Sequence, residues 1–223
     1  MWLPRCWSSS PELGKFGELS EIAREQHGTV PDWFAEWVEI ERVAAVIRWW
    51  EPLLIPGLLQ VESYARALLG WGPDSGGDLE GTVADRLDRQ KIFDRELPPE
   101  VWFLLGESVF SNLVGSAEIM HAQIDHLIFM SQRPHVTIQV VPAVAVPSVA
   151  HGISLTDCAA YSETSVNGNV WTDEETRSSL GRVFDTLRSE AWRASESLVL
   201  INEASELWTG GNLLTATATA DSA

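Results

Sequence analysis

Five polar residues, Glu107, His135, Gln139, Asp157 and Glu163, stand beside apolar segments where they could anchor a ligand. The tryptophans Trp49, Trp50, Trp102 and Trp171, with Tyr64 and Phe103 in neighbouring apolar runs, could form its walls. Pockets for large apolar molecules have this make-up: aromatic and aliphatic walls with a few polar groups that fix orientation. A carboxylate held against such walls has a raised pKa and can give or take a proton. Glu107, directly behind an apolar strand, and Asp157 are therefore the candidate catalytic residues. The ordinary use of each carboxylate is as a cap or surface charge. The ordinary use of most of the 11 tryptophans is core packing, as the helical spacing of Trp33 and Trp37 indicates.

Other chemistries lack sequence support. His121 and His126 are five apart, off a common helical face, and no cysteine pair accompanies them, so no metal site is expected. The chain carries no glycine-rich phosphate loop, dinucleotide fingerprint or GxSxG elbow, and no cofactor is expected. With 15 Lys and Arg against 32 Asp and Glu, the net charge of -17 repels phosphates and anionic headgroups, which argues against direct binding of nucleic acid or a membrane surface. No run reaches the roughly 18 to 20 apolar residues of a membrane helix, and the N-terminus lacks the apolar centre of a signal peptide. A cytoplasmic location is expected, with Cys6 and Cys158 unpaired.

The elements that must position these residues follow from periodicity. Trp33, Trp37, Ile40, Ala44 and Ile47 recur at spacings of four and three, which predicts a helix from Trp33 to Trp50, capped by Asp32 after Gly28 and Pro31. Pro52 ends it, and Leu53 to Ile55 must run extended. Pro56 opens a second helix bearing Leu58, Val61, Ala65 and Leu68. Such an apolar connector needs a cover, whether core, partner or ligand. Further helices are expected from Thr82 to about Arg95, over AEIMHAQIDHLIFM behind the Ser116 cap, and as one long stripe from Leu180 through Phe184, Leu187, Ala191 and Ala194 to Leu198. Strands are expected at Val101 to Leu105, Val136 to Val141, Ile153 to Cys158 and Asn169 to Trp171, the last behind an Asn167-Gly168 turn. The fold class is α+β, with a helical N-terminal half, a small sheet after residue 100 and closing C-terminal helices. Residues 1–14 read as an irregular tail, 15–208 as a single ligand-binding-like domain and 209–223 as a flexible tail.

The segments IERVAAVIRWWEP, LIPGLLQVESYARALL, DRLDRQ, VWFLLGESVF and MHAQIDHLIFMSQRPHVTIQVVP together resemble a family. It is the C-terminal domain, of unknown function, of WhiJ-type actinobacterial transcriptional regulators, also described as antitoxin-like regulators of the Scr family. The resemblance covers roughly residues 15 to 203, and IPGLLQVESYARALL is its most specific piece. It implies a domain that senses a signal or engages small partner proteins downstream of an XRE-type helix-turn-helix, and a carboxylate at the place of Glu107. Only some thirty residues precede Trp33, and they lack the basic helices of a major-groove reader, so DNA recognition is expected from another chain. Residues 143 to 171 depart from the family's smoother apolar pattern, carrying His151, Asp157, Tyr161 and Glu163.

Three functions follow. The first is a regulator-derived domain that binds a bulky apolar small molecule in an aromatic pocket. The second is a cofactor-free cyclase or isomerase of natural-product biosynthesis descended from such a sensor, which the rewritten 143 to 171 stretch motivates. The third is an interaction module that meets a small partner protein, or a second copy in a homodimer, through the connector at Leu53 to Leu59.

Overall fold

Val46-Ile47-Arg48-Trp49-Trp50-Glu51 is a run of β-branched and aromatic side chains, and it forms strand β1 (Val46–Glu51) at the centre of the sheet. The computed structural model describes residues 32–71, 78–145, 149, 151–163 and 168–209. Its order is α1 (Asp32–Val43), β1, α2 (Glu62–Leu69), α3 (Leu79–Arg89), β2 (Glu100–Gly106), α4 (Ala117–Met130), β3 (Val136–Val141), β4 (Ile153–Thr156), β5 (Ala160–Glu163), β6 (Gly168–Trp171), α5 (Glu174–Glu190) and α6 (Ala194–Thr209). The α+β class holds. The six strands lie in the order β3-β2-β1-β4-β5-β6, with β1, β2 and β3 parallel and β4, β5 and β6 antiparallel.

Three expected boundaries are corrected. The helix predicted from Trp33 to Trp50 ends at Val43, because the following run is bonded as a strand to β2 on one side and to β4 on the other. Apolar residues on both faces of a central strand imitate a helical stripe when read by spacing alone. Pro56 opens a single 3-10 turn, Gly57–Leu59, and the helix proper starts at Glu62. The long C-terminal stripe is two helices, broken at Ala191, where the backbone turns extended. That break docks on β3, an edge strand: Trp192 N donates to Val140 O at 3.0 Å, Val140 N donates to Ser197 Oγ at 3.0 Å, and Gln139 Nε2 donates to Trp192 O at 2.8 Å. The edge is covered, and the chain passes from one face of the sheet to the other. Strand β5 was not expected, and Thr209, read as the first residue of the C-terminal tail, is the last residue of α6. Residues 1–31, Asn167 and 210–223 lie outside the described residues, as do the side chains of Asp32 and Trp33.

The register sorts the core into two faces. Ile47, Trp49, Val101, Phe103, Leu105, Val136, Ile138 and Val140 share one face with Tyr64, with α4 and with the Ile201, Ala204 and Trp208 side of α6. Farther along that face, Ala159 and Tyr161 pack with Trp37 and Ile40 of α1. Trp50, Leu104, Ile153, Leu155 and Ala160 form the other face, under Phe184 and Leu187 of α5. Gly106 ends β2 against Pro52: a Cβ there would stand 2.5 Å from the Pro52 carbonyl oxygen, so this crossing of chains requires glycine. Among the described residues no helix is long and apolar enough to cross a membrane.

Candidate functional site

Strand alternation places Trp49 and Glu51 on the same face, and Trp49 Nε1 donates to Glu51 Oε1 at 3.1 Å. Ser154, buried, lies across from Trp49 on β4, and Tyr161 lies across from Ser154 on β5. The same two-residue step joins Tyr161 to Glu163, whose Oε2 accepts the phenol hydrogen at 2.6 Å. Tyr161 stacks on Trp37 at 5.3 Å and meets Phe34 edge-on at 5.5 Å. These groups run in a seam between the larger apolar cluster under α2 and α4 and the smaller one under α1.

Helix α3 closes the seam from above with Arg86 and Arg89, one turn apart. Arg89 grips Glu41 of α1 with both prongs, at 2.9 and 2.8 Å, while its guanidinium lies 4.6 Å over the Phe34 ring. Trp37 Nε1 donates to the same carboxylate at 3.3 Å, which is almost fully buried. Arg86 Nη1 donates to Gln60 Oε1 at 2.9 Å. Gln60 Nε2 in turn donates to Ile55 O at 2.7 Å, and Ile55 N donates to the Tyr64 hydroxyl at 3.2 Å. Gln90 Nε2 donates to the carbonyls of Gly57 and Gln60. The segment EPLLIPGLLQ is thus a frame: Pro52 and Pro56 bend it, Ile55, Leu58 and Leu59 anchor it in the core, Leu53 stays exposed, its Ile55 backbone holds Gln60 and Tyr64, and the Gln60 side chain holds Arg86.

Burial pushes the Glu51 carboxyl up to about 7; the Trp49 bond opposes this, Glu163 adds to it and Arg86 counters it. Burial likewise lowers Arg86 to about 10, with Arg89 adding and Glu163, Tyr64 and Glu51 opposing. Burial raises Tyr64, and burial together with Glu163 raises Tyr161. Gly152 faces Glu51 so closely that a Cβ would lie 2.6 Å from its Oε1. This is the carboxyl end of β1, where the parallel and antiparallel halves of the sheet meet. A carboxyl that exchanges its proton near neutrality, beside a guanidinium and a phenol, can hold a polar group or move a proton.

The residues singled out from sequence are distributed over several places. Trp49, Tyr64 and Phe103 are in or beside the seam, with Trp49 tilted on Phe103 at 6.4 Å, and Glu163 is at its outer end. Trp50, Trp102 and Trp171 gather on the opposite face, where Arg188 lies 5.5 Å over Trp102 and Trp50 Nε1 is buried without a partner. Gln139 bonds the α5–α6 break. His135 and Asp157 lie at the amino ends of the parallel strands, away from Glu51: His135 stands 6.2 Å from Phe93, and the Asp157 carbonyl accepts from Arg177 at 2.6 Å. Glu107 is at the carboxyl end, exposed, accepting Ala143 N at 3.1 Å. The sheet therefore separates Trp49 from the other three tryptophans proposed to share its pocket.

Glu51, Arg86, Arg89, Glu41 and Gln60 were not picked out from sequence. Reading Val46 to Glu51 as a strand would have found the first, because alternation then pairs Glu51 with Trp49. Among the described residues no group of three or more His, Cys, Asp or Glu side chains is placed to hold a metal ion. No curated protein and no solved structure matches the chain. A family model, described as a domain of unknown function (DUF5753), matches residues 34–203, which takes in β1, the frame, α3 and every strand that builds the seam. The chain belongs to the DUF5753 family.

Proposed function

We propose that this chain is a small-molecule-binding domain of the kind that WhiJ-type regulators join to an XRE-type DNA reader, and that the ligand enters the seam at Glu51. The observation that carries the reading is the convergence of Glu51, Tyr64, Arg86, Tyr161 and Glu163 at the carboxyl end of β1. Polar groups of this density between two apolar clusters cost folding energy, which binding sites commonly retain for their ligands. The rings of Trp37, Trp49 and Tyr161 supply apolar wall on either side. The ligand is accordingly a bulky, partly apolar molecule with at least one polar end.

A second reading has its own support. A carboxyl brought to about 7, with a guanidinium and a phenol beside it, suits proton abstraction next to a carbonyl and stabilisation of the resulting oxyanion. A cofactor-free isomerase or cyclase would use Glu51 as its base, in place of Glu107 or Asp157. Native mass spectrometry of the protein after incubation with a metabolite extract of its own organism separates the readings. A retained molecule recovered unchanged supports the binding domain, recovery as an isomer supports the enzyme, and retention of nothing removes both.

A further inference from the structure

Arg86 keeps donors in reserve at the seam. A guanidinium presents five N–H donors, yet among the described residues Arg86 has one hydrogen-bond partner, the neutral Gln60. Its neighbour Arg89 has a carboxylate in bidentate grip, and Arg66, Arg133 and Arg177 each have an acidic partner. Arg86 is also an arginine whose charge burial disfavours. Its stem lies along the 3-10 turn, with Cδ 3.8 Å from where a Gly57 Cβ would stand. The two nearby carboxyls are committed to other donors: Glu51 to Trp49, and Glu163 to Tyr161. Tyr64 accepts from Ile55 N, which leaves its own hydrogen to donate.

We propose that Arg86 receives the carboxylate of an acidic small molecule, with the Tyr64 hydroxyl as a second donor; this rests on the reading of the seam as a small-molecule site. Planar, bidentate recognition of carboxylate is what a guanidinium does best. A monoanionic carboxylate is preferred over phosphate because Glu51 and Glu163 face Arg86 and the whole chain carries a charge of -17, so a dianion meets more repulsion. Binding also favours protonated Glu51. The groups facing Glu51 are Arg86 from α3, Tyr64 from α2, and Trp49, Tyr161 and Glu163 from the sheet; burial brings Glu51 up to about 7, whereas it leaves Arg86 at about 10 and raises the Tyr64 and Tyr161 phenols away from neutrality. Affinity should therefore fall between pH 6 and pH 8.

The test follows the Arg86 Nε–H signal by NMR while phenylacetate, and separately its neutral match phenylacetamide and inorganic phosphate, are titrated into the whole chain. The expected result is a saturable shift with phenylacetate, with at least tenfold weaker binding of the amide and of phosphate. Arg86→Gln should abolish binding, Arg86→Lys should weaken it, and Arg182→Gln on the surface should change nothing. An unmoved Arg86 signal, equal binding of acid and amide, tighter binding of phosphate, or full binding by a folded Arg86→Gln variant would each overturn the proposal. The native mass spectrum separates the two failures. If Arg86→Gln retains a metabolite as the parent does, the site stands and acid recognition falls; if the parent retains none and phenylacetate leaves Arg86 unmoved, both fall.

Discussion

Glu51 is a carboxyl that burial in the seam brings close to neutrality. Its folded pKa of about 7 lies above the ordinary carboxylate value of 4.5, so its contribution to stability is fully present below about pH 4.5 and is lost as the pH rises through about 7. Glu51→Gln, which can still accept from Trp49, should raise stability at pH 8 by about 2 kcal/mol and change little at pH 5. Denaturant unfolding at the two pH values measures this, and an equal effect at both would place the carboxyl elsewhere on the pH scale. The sequence led to Glu107, which follows an apolar strand, and to Asp157, in the stretch that departs from the family pattern, as acid–base candidates. Burial by the tertiary fold distinguishes the carboxylates, and Glu107 is exposed while Glu51 lies under Arg86 and Gly152. Adjacency in sequence does not report that cover.

At the scale of elements, the Glu41–Arg89 pair clamps α1 to α3, with side-chain exposures of only 1% and 8%. Breaking a buried pair by removing one partner leaves an uncompensated charge. Glu41→Ala should therefore cost about 3–5 kcal/mol, whereas the double change of Glu41 and Arg89 to Met should cost far less. Urea unfolding of the single and double variants distinguishes a clamp from two independent side chains. A second close contact holds β1 and β2 together at the site end: Gly106→Ala should cost about 1–3 kcal/mol by driving a methyl into the Pro52 carbonyl. The bend behind Trp50 is tight there; at Gly57 a Cβ would meet only arginine side-chain atoms at 3.5 Å and beyond. Elements whose signal is local were legible in the sequence. The Ser116 cap and the β-branched run at Val136 fixed α4 and β3 to the residue. Strand β1 and the α5–α6 break were not, because each depends on distant backbone partners, β2 and β4 for the strand and Val140 for the break.

Across the whole molecule, the mixed sheet sorts two sets of tryptophans to opposite faces and leaves the charged seam on one of them. The α+β class was legible because helical periodicity dominates the N-terminal half, most strand signals follow residue 100, and helical periodicity returns at the C-terminal end. The site was legible only in part: the connector from Leu53 to Leu59, Trp49, Tyr64 and Glu163 stood out, whereas Glu51 did not and Arg86 reads as one charge among many in DRLDRQ until α3 is laid over the sheet. Hydrogen–deuterium exchange of the protein, alone and with a metabolite extract of its own organism, tests the central claim most directly. A ligand seated in the seam slows exchange only in peptides that span residues 46–64, 79–93 and 152–163, around Glu51, Arg86 and Tyr161. Unchanged exchange everywhere, or protection confined to the α5 face at Trp50, Trp102 and Trp171, would contradict it.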